Sequence, residues 1–340
     1  MTPKRTVAIV GMGPMGLSHA AITNSLGRGR VVAMVDSDER LLLMGKKVLR
    51  GINFFSNVED MIRTLAPDCV YVCTPPPTHV DIVQAIFRAG SPKAIFVEKP
   101  LATRANDAKG LAEEARRRNI LGVIGFQKRF NRVFEESRRL VQSGAIGKVR
   151  LVRANDLTAG QVAPATGWRG EPGSGGVTLE WGIHLLDLLL WTFGTPISVK
   201  ARRMRLFSDR VEDVVSASLT FPGGVLGLVE LGWNLRNYNP PDLFMEIHGT
   251  EGAISVNEDR LVVYTKKRES ESVGGRPAPM VVHSTQVTPP LPFLLGQPEN
   301  IWQEVRFHDA LDGRLPAENT WDESIPLHNL IDQILSVPLE

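Results

Sequence analysis

The sequence predicts an α/β N-terminal domain with a parallel sheet over residues 1–124, followed by an α+β C-terminal domain with a large open, mostly antiparallel sheet over residues 125–340. Three observations predict it. Gly11-Met-Gly-Pro-Met-Gly16 joins the apolar run Val7–Val10 to a helical stretch, Leu17–Leu26. A second apolar run, Val31–Val35, ends in Asp36, twenty residues after Gly16. Past about residue 125, alternating strands and helices give way to strands of period two.

Strands are predicted at 6–10, 31–35, 69–73, 94–97 and 121–124, with helices at 14–26, 57–65, 78–89 and 104–118 filling much of the gaps. Asn57 stands as an N-cap with Asp60 three residues on, and Thr78 as the cap of the next helix. A helix at about 131–143 ends near Gly144. Strands at 148–156, 197–207, 213–221, 225–233, 242–248 and 260–265 then read as an antiparallel or mixed sheet with one solvated face. Among them lie one glycine-rich turn and one helix, from Gly173 to Phe193. Residues 266–298, rich in Pro, Gly, Ser and charge, are read as irregular with a strand at 280–287. Helices at 298–312 and 322–335 finish the chain, free to pack back toward the N-terminal domain.

Lys and Arg number 39 against 37 Asp and Glu, a net charge of +2, so there is no electrostatic case for nucleic acid or an anionic membrane. The two cysteines, Cys69 and Cys73, share one strand-like run and lack a second pair to complete a metal site. They read as structural thiols of a reducing, cytoplasmic compartment. Lys4 and Arg5 before an apolar run imitate a signal peptide, but that run is the first strand. The apolar stretch 183–193 holds His184 and Asp187 and is too short to span a bilayer.

The glycine segment sits where a dinucleotide-binding (Rossmann) βαβ unit requires it. Gly11 permits the tight turn, Gly13 lets backbone approach a pyrophosphate, and Gly16 lets helix pack on strand. Met12, Pro14 and Met15 complete the loop, and the helix N-terminus offers N–H groups to phosphate. A carboxylate at Asp36, with Ser37 and Arg40 close behind, favours the ribose hydroxyls of NAD over a 2′-phosphate; Arg40 keeps NADP open.

Three further segments carry chemistry. Cys73-Thr-Pro-Pro-Pro-Thr-His79 must leave the sheet extended, because its prolines oppose a helix. Its residues Thr74, Pro75, Pro76 and His79 either line the nicotinamide end of a cleft or form a structural turn. Glu98-Lys99-Pro100 closes an apolar strand, whose walls partly desolvate Lys99 and suit it to proton handling; a surface Glu–Lys pair is the plainer alternative. Glu180, His184 and Asp187 recur at i, i+4 and i+7 and so share one face of a helix, as a base with its orienting carboxylate or as plain packing and capping.

GMGPMG at 11–16, Asp36, TPPPTH at 74–79, EKP at 98–100, GFQKRFN at 125–131, Trp168-Arg169, GGVTLEWGIHLLD at 175–187 and HGTEGAI at 248–254 occur in one order. Over nearly the whole chain this set resembles the glucose–fructose oxidoreductase/inositol dehydrogenase/rhizopine-catabolism (Gfo/Idh/MocA) family. The resemblance implies hydride exchange between NAD, or NADP, and a secondary alcohol of a sugar, sugar derivative or cyclitol. It assigns His184 to the hydroxyl proton, Lys99 to polarising the oxygen, and Glu180 to the same group. Glu180 departs from the family's usual Asp, one methylene shorter, which changes its reach and the substrate geometry. Arg129 would contact substrate or cofactor. Glu98, Gln127, Trp168 and Arg169 fall on cofactor-side segments, Gln127 and Arg129 near the family's interdomain cleft, with interdomain contact as the alternative role. The family also implies a homo-oligomer through the C-terminal sheet. NAD-assisted glycosidic cleavage without net redox, and a nucleotide sensor without chemistry, remain the alternatives.

Overall fold

The computed structural model describes residues 4–159, 167–265, 280–283 and 297–340. The chain forms two compact units, one of residues 1–127 with 288–328, the other of residues 128–287 with 329–340.

The first unit holds a six-stranded parallel sheet of β1 (Arg5–Val10), β2 (Gly29–Val35), β3 (Asn53–Phe55), β4 (Cys69–Val72), β5 (Ala94–Val97) and β6 (Leu121–Ile124), in the order β3-β2-β1-β4-β5-β6. Every residue of β4 and β5 is buried, as a sheet covered on both faces demands. Between the strands run α1 (Pro14–Leu26), α2 (Glu39–Val48), α3 (Val58–Leu65), α4 (His79–Ala89) and α5 (Ala105–Arg117). Asn57 caps α3 by accepting the N–H groups of Glu59 and Asp60 at 2.7 and 3.2 Å. The sequence reading did not place β3 or α2. β3 has only three residues, too few to display a period, while α2 is fixed by Asp38, whose carboxylate accepts the Arg40 N–H.

The expected extended exit at Cys73–His79 is corrected. Pro75 is extended (φ −58°, ψ 140°), but Pro76–Thr78 forms a 3₁₀ turn that opens directly into α4. Proline removes only a donor that a first helical turn does not use, and its fixed φ suits that turn. Thr78 does not cap α4 with its side chain; its hydroxyl lies 2.8 Å from both Thr74 Oγ1 and the Pro75 carbonyl.

The second unit begins with α6 (Arg132–Gln142) and β7 (Val149–Leu157). After a π-helical turn at Thr178–Gly182 come α7 (Ile183–Phe193), β8 (Ser198–Met204), β9 (Val214–Phe221), β10 (Val225–Gly232), β11 (Asp242–Gly249), β12 (Gly252–Asn257), β13 (Arg260–Thr265) and β14 (Met280–His283). The eight strands lie in the order β14-β13-β12-β11-β7-β10-β9-β8, antiparallel except for the β7–β10 pair. Along β10, Val225, Val229 and Leu231 are buried while Leu226 and Leu228 are exposed, the alternation of a sheet covered on one face. The segments α6 and α7 pack against its strands. Of the predicted irregular stretch 266–298, residues 266–279 and 284–296 lie outside the described residues. The strand predicted at 280–287 is seen over 280–283.

Two helices close the chain, α8 (Pro298–Leu311) and α9 (Trp321–Leu335). Within the first unit α8 packs on α1, and Trp321, at the start of α9, donates from Nε1 to the Val123 carbonyl at 3.0 Å. Its indole lies where a Cβ on Gly122 would stand, so β6 needs glycine there. Inside the sheet layer Tyr71 and Phe96 stack with ring centroids 5.0 Å apart. Each such buried apolar side chain contributes roughly 1.5–3 kcal/mol.

Candidate functional site

In the first unit, backbone hydrogen bonds carry the sheet one residue past its strands. Gly11 donates to Val35 O (2.8 Å), Cys73 to Val10 O (2.7 Å), Glu98 to Val72 O (2.9 Å) and Gly125 to Val97 O (2.9 Å). The strand exits thereby stand in a row. Strand order reverses direction at β1 and β4, and the carboxyl edge at such a point is where an open α/β sheet opens a crevice.

Gly11 adopts φ +97°, and a Cβ there would stand 2.7 Å from the Cys73 carbonyl oxygen. A Cβ on Gly16 would run into the Gly11 carbonyl, so α1 lies directly on the turn. Gly13 differs from both: nothing lies within 4 Å of its Cβ position. Gly13 is also the N-cap of α1, with no side-chain cap and no acid in the first turn. The N–H groups of that turn are thus left for an anion, with open space at the Gly13 Cβ position. Pro14 is exposed, Met15 half-buried and Met12 buried.

Asp36 accepts the Met12 N–H on Oδ2 (2.7 Å) and the Asp38 N–H on Oδ1 (2.9 Å). The carboxylate is therefore fixed beside the glycine turn, and each oxygen keeps further acceptor capacity for a ribose hydroxyl. Ser37 and Arg40 are exposed next to it. An open phosphate cradle, a helix N-terminus and a fixed acid at the second strand fit a dinucleotide.

The Pro loop and the EKP turn are stitched together by His79. Its ring nitrogens lie 2.7 Å from Pro100 O and 2.8 Å from Thr74 O, and its side chain is fully buried. Burial holds its pKa down, although both carbonyls oppose that shift. The His79 ring holds the loop through these two carbonyls. Thr74 is half-buried, Pro75 exposed and Pro76 buried. Lys99 is half-buried at the strand exit, and Gln127 is half-buried at the first position of the 3₁₀ turn Gln127–Phe130.

Glu98 also has partners inside the first unit. Its Oε1 is 2.8 Å from His19 Nε2, and its Oε2 accepts the Lys99 N–H at 3.3 Å. His19, on α1, is 1 % exposed, and its other nitrogen bonds to Glu304 of α8. Glu304 in turn accepts the Tyr71 hydroxyl at 2.7 Å. Burial acts against a charge on His19, but hydrogen bonds and charges from Glu304 and Glu98 outweigh it and push its pKa up to about 10. Burial likewise opposes the Glu98 carboxylate, yet the His19 partner holds its pKa down. The Tyr71 hydroxyl is pushed up by burial and by the Glu304 charge. Sequence reasoning missed this cluster. Its only local signal is a histidine next to Ala20 on the buried side of α1.

In the second unit the predicted residues gather around the turn Gly167–Gly170 and the π-helical turn. A Cβ on Gly175 would press on the Trp168 carbonyl at 2.7 Å, Gly176 N–H donates to Arg169 O (3.1 Å), and Ser174 Oγ donates to Trp168 O (3.1 Å). Arg169 stacks over the Trp168 ring at 4.5 Å and gives its Nε to Glu180 Oε1 at 3.0 Å. Buried Glu212 anchors the segment's start: its carboxylate accepts the Thr178 N–H (3.3 Å) and an Arg203 Nη2 (2.8 Å), and its carbonyl accepts the Val177 N–H (3.1 Å). The sequence reading did not find Glu212 or Arg203, which lie far from the motif they support.

The expected single helical face is corrected. Glu180 lies in the π-helical turn and His184 in α7, so the spacing between them is not that of a regular α-helix. Asp187 is 1 % exposed and accepts from Arg129 Nε and Nη2 on its two carboxylate oxygens, at 2.8 and 2.5 Å. Arg129, expected at the substrate, is buried in this pair, while Glu180 and His184 are half-buried.

Residues 5–126 match the model of an oxidoreductase family with an NAD-binding Rossmann fold, and residues 134–255 that of the GFO/IDH/MocA C-terminal domain. Among similar curated proteins, the rhizopine catabolism protein MocA of Rhizobium meliloti is 31% identical over 254 residues, covering 72% of this chain and 76% of that one. The scyllo-inositol 2-dehydrogenase (NAD(+)) of Bacillus subtilis is 28% identical over 259 residues, 73% and 72% of the two chains. Among solved structures, a levoglucosan dehydrogenase in complex with NADH and levoglucosan has the same fold, with a TM-score of 0.83, 22% identity, and 98% and 96% coverage.

Proposed function

The chain belongs to the Gfo/Idh/MocA family of NAD-binding oxidoreductases, and from that premise we propose that it interconverts a secondary alcohol and its ketone on a sugar, sugar derivative or cyclitol. The observation that carries this reading is the open cradle at Gly13 beside the fixed Asp36 carboxylate, on the same sheet edge that bears Lys99. When bound, NAD supplies the two-electron acceptor for the carbinol hydrogen, and as NADH the donor.

The chain's residues do the rest. The first turn of α1 holds the pyrophosphate, with Gly13 admitting it, and Asp36 holds the adenosine ribose and repels a 2′-phosphate. His184 takes the hydroxyl proton as negative charge develops on the substrate oxygen, and Lys99 stabilises that charge. In reduction the same groups return the proton. Glu180, with the longer arm, shares its carboxylate between Arg169 and the substrate hydroxyls. Relatives named for inositol and a solved fold named for levoglucosan support a ring-shaped polyhydroxylated substrate. Gln127, Trp168 and Arg169 serve the cofactor side.

The chain works as a homo-oligomer in the cytoplasm, without nucleic-acid or membrane partners. Leu226, Leu151, His248, Ala253 and Tyr264 are successive register partners across the second sheet, so their side chains share one face. Leu226, Leu228 and Tyr264 are exposed there, which supports self-association through that face. Free thiols at Cys69 and Cys73 support a reducing compartment. Among the described residues, no helix is long and apolar enough to cross a membrane.

The test is Lys99→Met and His184→Asn. Each is expected to lower kcat by about 100-fold or more while NADH binding stays within about threefold of wild type. Wild-type turnover in both variants would remove the proposed chemistry.

A further inference from the structure

The buried cluster around His19 joins three elements of the first unit: α1, the exit of β5 and α8. We propose that His19, clamped between Glu98 and Glu304, is a positioning residue for Lys99: it fixes the Glu98 carboxylate and the turn that presents Lys99, and ties that turn to the helix that takes the cofactor phosphates. The proposal rests on the role given above to Lys99.

Both ring nitrogens of His19 face carboxylates. A neutral imidazole carries one N–H and donates once, so two carboxylate acceptors require the imidazolium. Those two carboxylates are what raise its pKa against the effect of burial. Glu98 is then held at both oxygens, Oε1 by His19 and Oε2 by the Lys99 N–H. A Cβ on Gly125 would stand 3.0 Å from Glu98 Oε2, so the carboxylate has a backbone floor as well. The opposite anchor is equally fixed: Glu304 is 0 % exposed and accepts the Tyr71 hydroxyl. The titratable groups around His19 are Glu98 and Lys99 at the β5 exit, Tyr71 on β4 with Cys73 beyond it, and Glu304 and His308 on α8.

Charge decides what happens when the ring is removed. One imidazolium and two carboxylates leave the cluster at −1, adjacent in sequence to the Lys99 cation. Without His19 two buried carboxylates remain with no cation between them; one must take up a proton or turn toward another partner. Either response unfixes Glu98. Removing the Glu304 charge at the same time brings the cluster back to −1, borne by Glu98 alone.

The experiment uses the full-length chain. Lys99 is labelled with acetic anhydride and its rate read by mass spectrometry, and NADH binding is followed by fluorescence; neither readout needs turnover. His19→Gln is expected to change the Lys99 labelling rate and to weaken NADH binding, each by about threefold or more. The double variant His19→Gln/Glu304→Gln is expected to return both toward wild type, because the charge is restored although more hydrogen bonds are lost. In wild type, NADH affinity is expected to fall as pH rises through about 10, and that step to be absent from His19→Gln. Wild-type labelling and binding in His19→Gln, or a double variant further from wild type than the single one, would overturn the proposal. A wild-type protein silent toward all polyols overturns the proposed reaction instead, and leaves these two readouts as they are.

Discussion

Gly11 and Gly13 are two residues apart, yet their replacement by alanine separates folding from cofactor binding. At Gly13 the backbone is φ −70°, ψ −179°, a conformation open to any residue, and no atom lies within 4 Å of the added methyl. Alanine is a poorer N-cap than glycine, but it restricts the unfolded chain; these terms oppose each other at about 0.5–1 kcal/mol apiece. Gly13→Ala is therefore expected to change unfolding free energy by about 1 kcal/mol or less. The methyl instead occupies the approach to the helix N-terminus. Displacing a pyrophosphate from a charge-assisted N–H contact loses roughly 1.5–3 kcal/mol, so the loss of one such bond weakens NADH binding about 10- to 150-fold. Gly11→Ala behaves in the opposite way. It adds about 1–2 kcal/mol for a positive φ and about 1–3 kcal/mol for the encounter with the Cys73 carbonyl, which is backbone and yields little. Urea unfolding read by tryptophan fluorescence and NADH titration by its own fluorescence give the two numbers independently. A Gly13→Ala protein that unfolds several kcal/mol more easily, or one that binds NADH as wild type does, would refute the reasoning.

Other perturbations follow from the same geometry. Asp36→Ser should weaken NAD binding about tenfold and narrow the gap to NADP, as measured by titration with both cofactors, because the repulsion of a 2′-phosphate disappears. Arg129→Leu should lower unfolding free energy by about 3–5 kcal/mol in urea, since it leaves the Asp187 carboxylate buried without its bidentate partner. Stability should also fall at alkaline pH. His19 titrates near 6.5 unfolded and at about 10 folded, so its contribution is complete below about 6.5 and is lost as pH rises through about 10; thermal melts of wild type and His19→Gln across that window test the sign.

The parallel half of the fold was legible because buried strands announce themselves as apolar runs. Ala94–Val97 and Leu121–Ile124 were placed to the residue, while β3 gave too short a run to register. The period-two strands of the second sheet were equally visible, except β12, whose six residues follow the β11 turn without a break signal of their own. Local motifs made the glycine turn and its neighbouring acid visible: Asp36 accepts the Met12 N–H, and nothing lies within 4 Å of the Gly13 Cβ position. What escaped was long-range polar pairing. His19 meets Glu304 across 285 positions, and Arg129 meets Asp187 across 58, and no local period encodes either. Consequently the partners of His79, Glu98 and Arg129 inside their own units could not be read from the motifs that contain them. The π-helical turn at Thr178–Gly182 escaped for a related reason, since a glycine-bounded apolar segment has the same composition whether its hydrogen bonds span four residues or five.

The most direct test of the whole account is the near-ultraviolet absorbance of NADH when wild-type protein, NAD and single ring polyols (inositols, anhydrosugars and sugar acids) are mixed, with Lys99→Met alongside. The account predicts steady NADH formation with one polyol class and loss of about 100-fold or more in the variant. Tight NADH binding with no NADH formed from any polyol, or equal rates in wild type and Lys99→Met, would contradict it.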